Sequence, residues 1–139
     1  MLARLRTLLV GAVIVLAVVA IGLGRTLSEA PGDPVDCDDP VAWDAAGQVV
    51  GESAAIEGPV TDVTHAPEVG GAPTFLNLGA AHPEEPRFDV VVYEDTREAF
   101  DAPLEDLEGA TVCVVGEVRT RDGVPQIVLG APPQLERRD

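Results

Sequence analysis

The chain has no lysine: its nine basic residues are all arginine, set against 24 aspartates and glutamates, for a formal charge of −15. A surface so short of cations does not grip phosphate backbones nonspecifically, whereas basic partners suit it. Aromatic side chains are almost as scarce, with three Phe, one Trp and one Tyr, so a site built on stacking must draw on nearly all of them. Only His65 and His82 supply imidazole, and both are expected in loops, near prolines. Neither gives a recognised metal spacing, and no Ser, His and acid pattern or Gly-rich phosphate loop occurs. No catalytic residue, metal site or cofactor is therefore expected. The run Asp36-Cys37-Asp38-Asp39 lacks the glycine and terminal glutamate of a calcium loop, and reads as solvated linker.

There is one long apolar run, from Thr7 to Gly24, bounded by Arg4 and Arg6 before it and Arg25 after it. As a helix it would measure about 27 Å, close to the hydrocarbon thickness of a bilayer. The arginines precede it and the acids follow it, so the positive-inside rule places the rest of the chain outside the cytoplasm. Residues 1–25 are accordingly expected to be a transmembrane anchor reaching the membrane through residues 7–24. The alternative is a signal peptide, since Val18-Val19-Ala20 and Gly22-Leu23-Gly24 offer small residues for cleavage and secretion.

In an oxidising compartment the two cysteines, Cys37 and Cys113, are expected to pair. A disulfide closing a loop of that length contributes about 4 kcal/mol in the chain-entropy view. Two unpaired thiols are the alternative.

Residues 26–38 form an acidic linker rich in Pro and Gly, and residues 39–135 one folded domain followed by a tail, 136–139. Asp39 reads as an N-cap and Pro40 as a first helical position, predicting a short helix that stops at Gly51. Beyond it the period changes to two. Five strands are predicted: Ser53–Thr64, with a bulge or sharp coil at Gly58-Pro59; Thr74–Leu78; Phe88–Tyr93; Thr111–Arg119; and Val124–Leu129. A helical turn over Thr96–Phe100, with Leu104 and Leu107 as apolar cover, separates the third from the fourth. The pair Asp122-Gly123 is a hairpin signal. If Val112, Val114 and Val118 face the core, Cys113 faces away from it. Pro125 lacks an N–H, so the last strand should start there or lie at an edge.

Five strands with a helical element between the third and fourth is the order of an OB-fold barrel. The stretch from Asp44 to Gln134 also resembles small exported bacterial and archaeal OB-fold domains of the nucleic-acid-binding class. The residues that carry the resemblance are Ile56-Glu57-Gly58-Pro59-Val60, Pro73-Thr74-Phe75-Leu76-Asn77-Leu78-Gly79 and Phe88-Asp89-Val90-Val91-Val92-Tyr93, then Gly109 to Val118, Gly123 to Leu129 and Pro133-Gln134-Leu135. The resemblance implies a groove that binds single-stranded nucleic acid. On this chain the matching candidates are Phe75, Asn77, Phe88 and Tyr93 for bases, with Arg87, Arg97, Arg119 and Arg121 as charge partners. Phe75 and Phe88 also read as core residues, and the arginines as members of a mixed-charge solvated face. A rival reading is an envelope-protein or glycan interaction domain using the same groove. Periplasmic haem chaperones of cytochrome c maturation share the layout but carry a histidine after the last strand. Here no histidine follows His82, which excludes covalent haem carriage unless His82 takes that part.

Overall fold

The computed structural model describes residues 35–139. The expected anchor and most of the linker lie outside the described residues, and among those described no helix is long and apolar enough to cross a membrane. The protein is mainly β, with an eight-stranded sheet and few, short helices. Its strands are β1 (Val41–Ala42), β2 (Ser53–His65), β3 (Thr74–Leu78), β4 (Phe88–Val92), β5 (Thr111–Glu117), β6 (Arg119–Arg121), β7 (Val124–Val128) and β8 (Leu135–Arg137). The five expected strands correspond to β2, β3, β4, β5 and β7. The three additions are short, and two continue segments read otherwise: β6 runs on from β5 through Val118, and β8 takes in part of the tail.

Strand β2 holds the sheet together because it changes partner along its length. Ser53 to Pro59 pair antiparallel with β5, and Val60 to His65 pair with β3, with a register shift between Val60 and Asp62. Pro59, which has no N–H to donate, sits at this changeover, and its carbonyl accepts the Gly79 N–H. β3 and β4 form an antiparallel pair, and β7 returns parallel to β4. The β4 ladder of β7 starts at Gln126, one residue after Pro125, so the proline costs it no hydrogen bond there. β7 is nevertheless internal, because β6 covers its other side. Asp122 and Gly123 both have positive φ, 52° and 82°, as a two-residue hairpin turn between twisted strands requires.

The segment before β2 corrects the sequence reading. No α-helix begins at Asp39; instead Val41 and Ala42 lie extended beside Ile56 and Glu57, and a 3₁₀ helix, Trp43–Gln48, follows without a side-chain cap. The cause is covalent: Cys37 is bonded to Cys113, and Cys113 pairs across the ladder with Glu57. The chain leaving Cys37 is thereby laid along β2, and helical backbone becomes available only past Ala42. The later helical turn is α1 (Glu94–Arg97), with Leu104–Leu107 as a 3₁₀ helix that buries Leu104.

Alternation sorts the side chains. Val112, Val114 and Val118 join Ile56, Leu76, Phe88 and Ile127 in the main core, while Cys113 turns to a second cluster with Cys37, Ala55 and Val115. The disulfide therefore pins the incoming segment to the outer face of β5.

Candidate functional site

The same alternation gives β3 two faces. Leu76 and Leu78 point into the core, so Phe75 and Asn77 face outward; on β4, Val90 and Val92 go inward and Asp89 outward. The registers Asp62 with Asn77, Asn77 with Asp89, and Asp89 with Gln126 place four polar residues in one row across β2, β3, β4 and β7. The row floors a groove of about 520 Å³. Its walls are Thr64 and Phe75 along the strands, Arg121, Asp122 and Val124 at the hairpin, and His82, Pro83, Glu85 and Arg87 from the loop between β3 and β4.

The floor is a fixed hydrogen-bond relay. Arg87 Nε donates to both oxygens of Asp89 at 3.0 and 3.3 Å, and its Nη1 donates to the Glu84 carbonyl. Asn77 Nδ2 donates to Asp89 Oδ1 at 2.8 Å. An ionised carboxylate only accepts, so this contact settles which end of the Asn77 amide faces Asp89. The other end, Oδ1, is buried without a hydrogen-bond partner, the one such side-chain atom among the described residues. A buried acceptor left unpaired costs about 1–3 kcal/mol.

Of the sequence candidates, Phe75, Asn77, Arg87 and Arg121 meet in the groove. Phe75 is half-buried rather than sealed in the core, unlike Phe88, which is completely enclosed. Tyr93, Arg97 and Arg119 lie outside the groove lining. Tyr93 is 38% exposed at the end of β4, with its ring over Gly71 of the β2–β3 loop. Arg97 is committed elsewhere, donating to Thr74 Oγ1 and to Glu105. Arg119 pairs with Glu117 in open solvent, and that hydrogen bond raises its already high pKa. Asp62, Asp89 and Gln126 were missed as candidates. For Asp89 and Gln126 the signal was present, each being the one polar residue of an otherwise apolar strand, whereas Asp62 stands among other polar residues of β2.

The groove contains four carboxylates, Asp62, Glu85, Asp89 and Asp122, and two guanidinium groups. Arg87 is already neutralised by Asp89, which leaves Arg121, outside any ion pair among the described residues, as the available cation. Among the described residues no group of three or more His, Cys, Asp or Glu is arranged to hold a metal.

Beside α1, the hydrogen bond from Arg97 holds the Glu105 carboxyl below its ordinary pKa. A lowered carboxylate pKa stabilises the fold above the unfolded-state value, and the contribution fades as pH falls through the folded-state value. The Glu105 side chain is 47% exposed, so solvent screening keeps the effect small. Glu105→Gln should cost about 0.5 kcal/mol at neutral pH and nothing in strong acid, as read by urea unfolding at both.

No family model matches the chain, and no curated protein matches it. Solved structures do: asparaginyl-tRNA synthetase from Pyrococcus horikoshii, complexed with asparaginyl-adenylate, is 16% identical with a TM-score of 0.47 over 73% of this chain and 22% of that one. Aspartyl-tRNA synthetase from Entamoeba histolytica is 12% identical with a TM-score of 0.45, over 78% of this chain and 25% of that one. The chain thus spans a quarter or less of the length of these proteins.

Proposed function

We propose that the chain is an exported, membrane-anchored binding module of the OB type, without catalysis of its own, that seats an extended polymer in the groove across β2, β3, β4 and β7. In this reading β2, β3, β4, β5 and β7 are the five barrel strands, and residues 7–24 hold the domain at the outer side of a membrane. The observation that carries it is the groove itself, where the half-buried ring of Phe75 and the uncommitted Arg121 meet on one outward face of the sheet. Single-stranded nucleic acid is the first polymer to test. A base would stack on Phe75, and Arg121 would contact phosphate.

The test is a titration of labelled single-stranded DNA and RNA with the full chain in mild detergent, from low to molar salt. Saturable binding that weakens about tenfold or more in Phe75→Ala is expected if bases stack there. The salt slope counts the phosphates engaged. A protein or glycan partner in the same groove is the second reading, and the excess of carboxylates over arginines in the lining favours it.

A further inference from the structure

We infer that the groove takes an uncharged polysaccharide in preference to a polyanion or a cationic peptide. The inference rests on the groove being the binding site, and it names the chemistry of the polymer. Two independent observations meet there. One is the mixture of donors and acceptors that the lining offers. The other is an apolar strip that runs beside them on the same outward face.

The open polar groups are of both kinds. Asp62, Glu85 and Asp122 only accept, and none of them is in an ion pair among the described residues. Arg121 only donates, and the partly open Gln126 amide donates at one end and accepts at the other. A phosphate only accepts, so one guanidinium would answer it and three carboxylates would repel it. A cationic side chain only donates, so Arg121 would repel it and the Gln126 N–H groups would be left facing it. A hydroxyl does both: it donates to a carboxylate, accepts from a guanidinium or an amide, and carries no charge for either to oppose. Neighbouring hydroxyls on one sugar ring therefore suit a lining in which acceptors and donors share one groove.

The apolar strip lies two residues along each strand from the polar row. Phe75 pairs with Val91 and Val91 with Val128, and all three alternate with inward residues. Val91, in the middle, is 2% exposed, whereas Phe75 is half-buried and Val128 exposed, so the two outer side chains present the strip to solvent. Tyr93 follows Val91 by two residues in extended backbone and continues the strip with an exposed ring. A pyranose ring turns C–H groups to one side and hydroxyls to its rim. It can therefore cover the strip with its apolar face while its rim reaches the polar row. Four adjacent strands span roughly 14 Å, which gives room for a few such rings in succession. The groove volume, about 520 Å³, falls inside the roughly 300–1,000 Å³ of sites that enclose small ligands.

The experiment uses the full chain in a detergent without a sugar head group, with fluorescein-labelled probes read by anisotropy. The neutral probes are maltohexaose, mannohexaose and chitohexaose, and the charged ones are hexagalacturonate and an oligothymidine strand. The expected result is saturable binding of a neutral hexasaccharide that changes by less than about twofold from low to molar salt, since no counterions are released. Phe75→Leu, which keeps an apolar side chain but removes the flat ring, should weaken it on the order of tenfold. The isosteric double change Asp62→Asn with Glu85→Gln should also weaken the sugar on the order of tenfold, by replacing charge-assisted hydrogen bonds with neutral ones, yet strengthen oligothymidine binding. The same charge change away from the groove, Glu68→Gln with Glu108→Gln, should leave sugar affinity within about twofold. Sugar binding that Phe75→Leu leaves intact would overturn the inference, since the sugar would then sit elsewhere. Tighter binding of hexagalacturonate than of every neutral probe would overturn it, as would binding of oligothymidine alone; if Phe75→Ala abolishes that binding, the groove remains the site. Binding of none of the probes would overturn both. All variants are first matched to the parent chain by circular dichroism.

Discussion

Replacing both cysteines, Cys37→Ser with Cys113→Ser, should cost about 4 kcal/mol of folding stability and lower the melting temperature by on the order of 20 °C. The bond closes a loop of 76 residues, most of the folded domain, so its loss returns a large conformational entropy to the unfolded chain. That is a substantial part of the roughly 5–15 kcal/mol that holds a domain of this size. Both sulfurs lie in the small cluster with Ala55 and Val115, away from the main core. The effect should therefore come chiefly from chain entropy, and Cys37→Ala with Cys113→Ala should lose a similar amount. Urea unfolding followed by the fluorescence of Trp43, the single tryptophan, measures it directly. A loss below about 1 kcal/mol would mean that pairing of Val41 and Ala42 with β2 is enough to hold the incoming segment.

Gly79→Ala is expected to cost about 3 kcal/mol or more, because two penalties fall on one residue. Gly79 has φ of +88°, and a methyl group there would lie 2.4–2.5 Å from three atoms of the Trp43 ring. The two penalties separate in other positions. Gly109 has φ of +87° with nothing within 4 Å of the added carbon, so Gly109→Ala should lose only the 1–2 kcal/mol or so of left-handed backbone. Gly58 has no such backbone, yet its added carbon would come within 2.6–2.8 Å of Trp43, so Gly58→Ala isolates the packing cost. Combining Gly79→Ala with Trp43→Leu should cost less than the two single changes added together. Strict additivity would show that Trp43 does not pack across these glycines. The comparison uses the same urea unfolding, followed by circular dichroism where Trp43 is replaced.

The strands were legible because alternation is a local signal. Thr74–Leu78 is bounded by Pro73 before it and Gly79 after it, and the expected limits coincide with β3. The two positive-φ residues of the last hairpin were readable from Asp122-Gly123, the residue pair that such a turn favours. The outward direction of Cys113 followed from the valines on either side of it. The segment before β2 was misread for the converse reason. Its helical spacing was real, but the disulfide and the pairing with Ile56 and Glu57 act from residues distant in sequence and override a weak local preference.

The candidate site divides in the same way. Phe75, Asn77, Arg87 and Arg121 were candidates through the resemblance, and their place in the groove comes from the alternation of Phe75 and Asn77 with Leu76 and Leu78 and from the hairpin and loop that carry the two arginines. Tyr93, Arg97 and Arg119 came from the same resemblance, but spatial neighbours decide where such side chains go: Arg97 toward Thr74 and Glu105, and Arg119 toward Glu117. By itself, then, the sequence determined the strand segments, the inward valines and outward Cys113 of the fourth expected strand, the last turn and the acidity of the surface, because period, turn chemistry and charge are properties of neighbouring residues. Only the tertiary structure decided that Asp62, Asn77, Asp89 and Gln126 share one row, that Arg87 and Asp89 lock the Asn77 amide, and that Trp43 lies across two glycines. Strand register is set by pairing between segments far apart in the chain, and a shift of one residue would have turned Asn77 into the core and Leu76 into the groove.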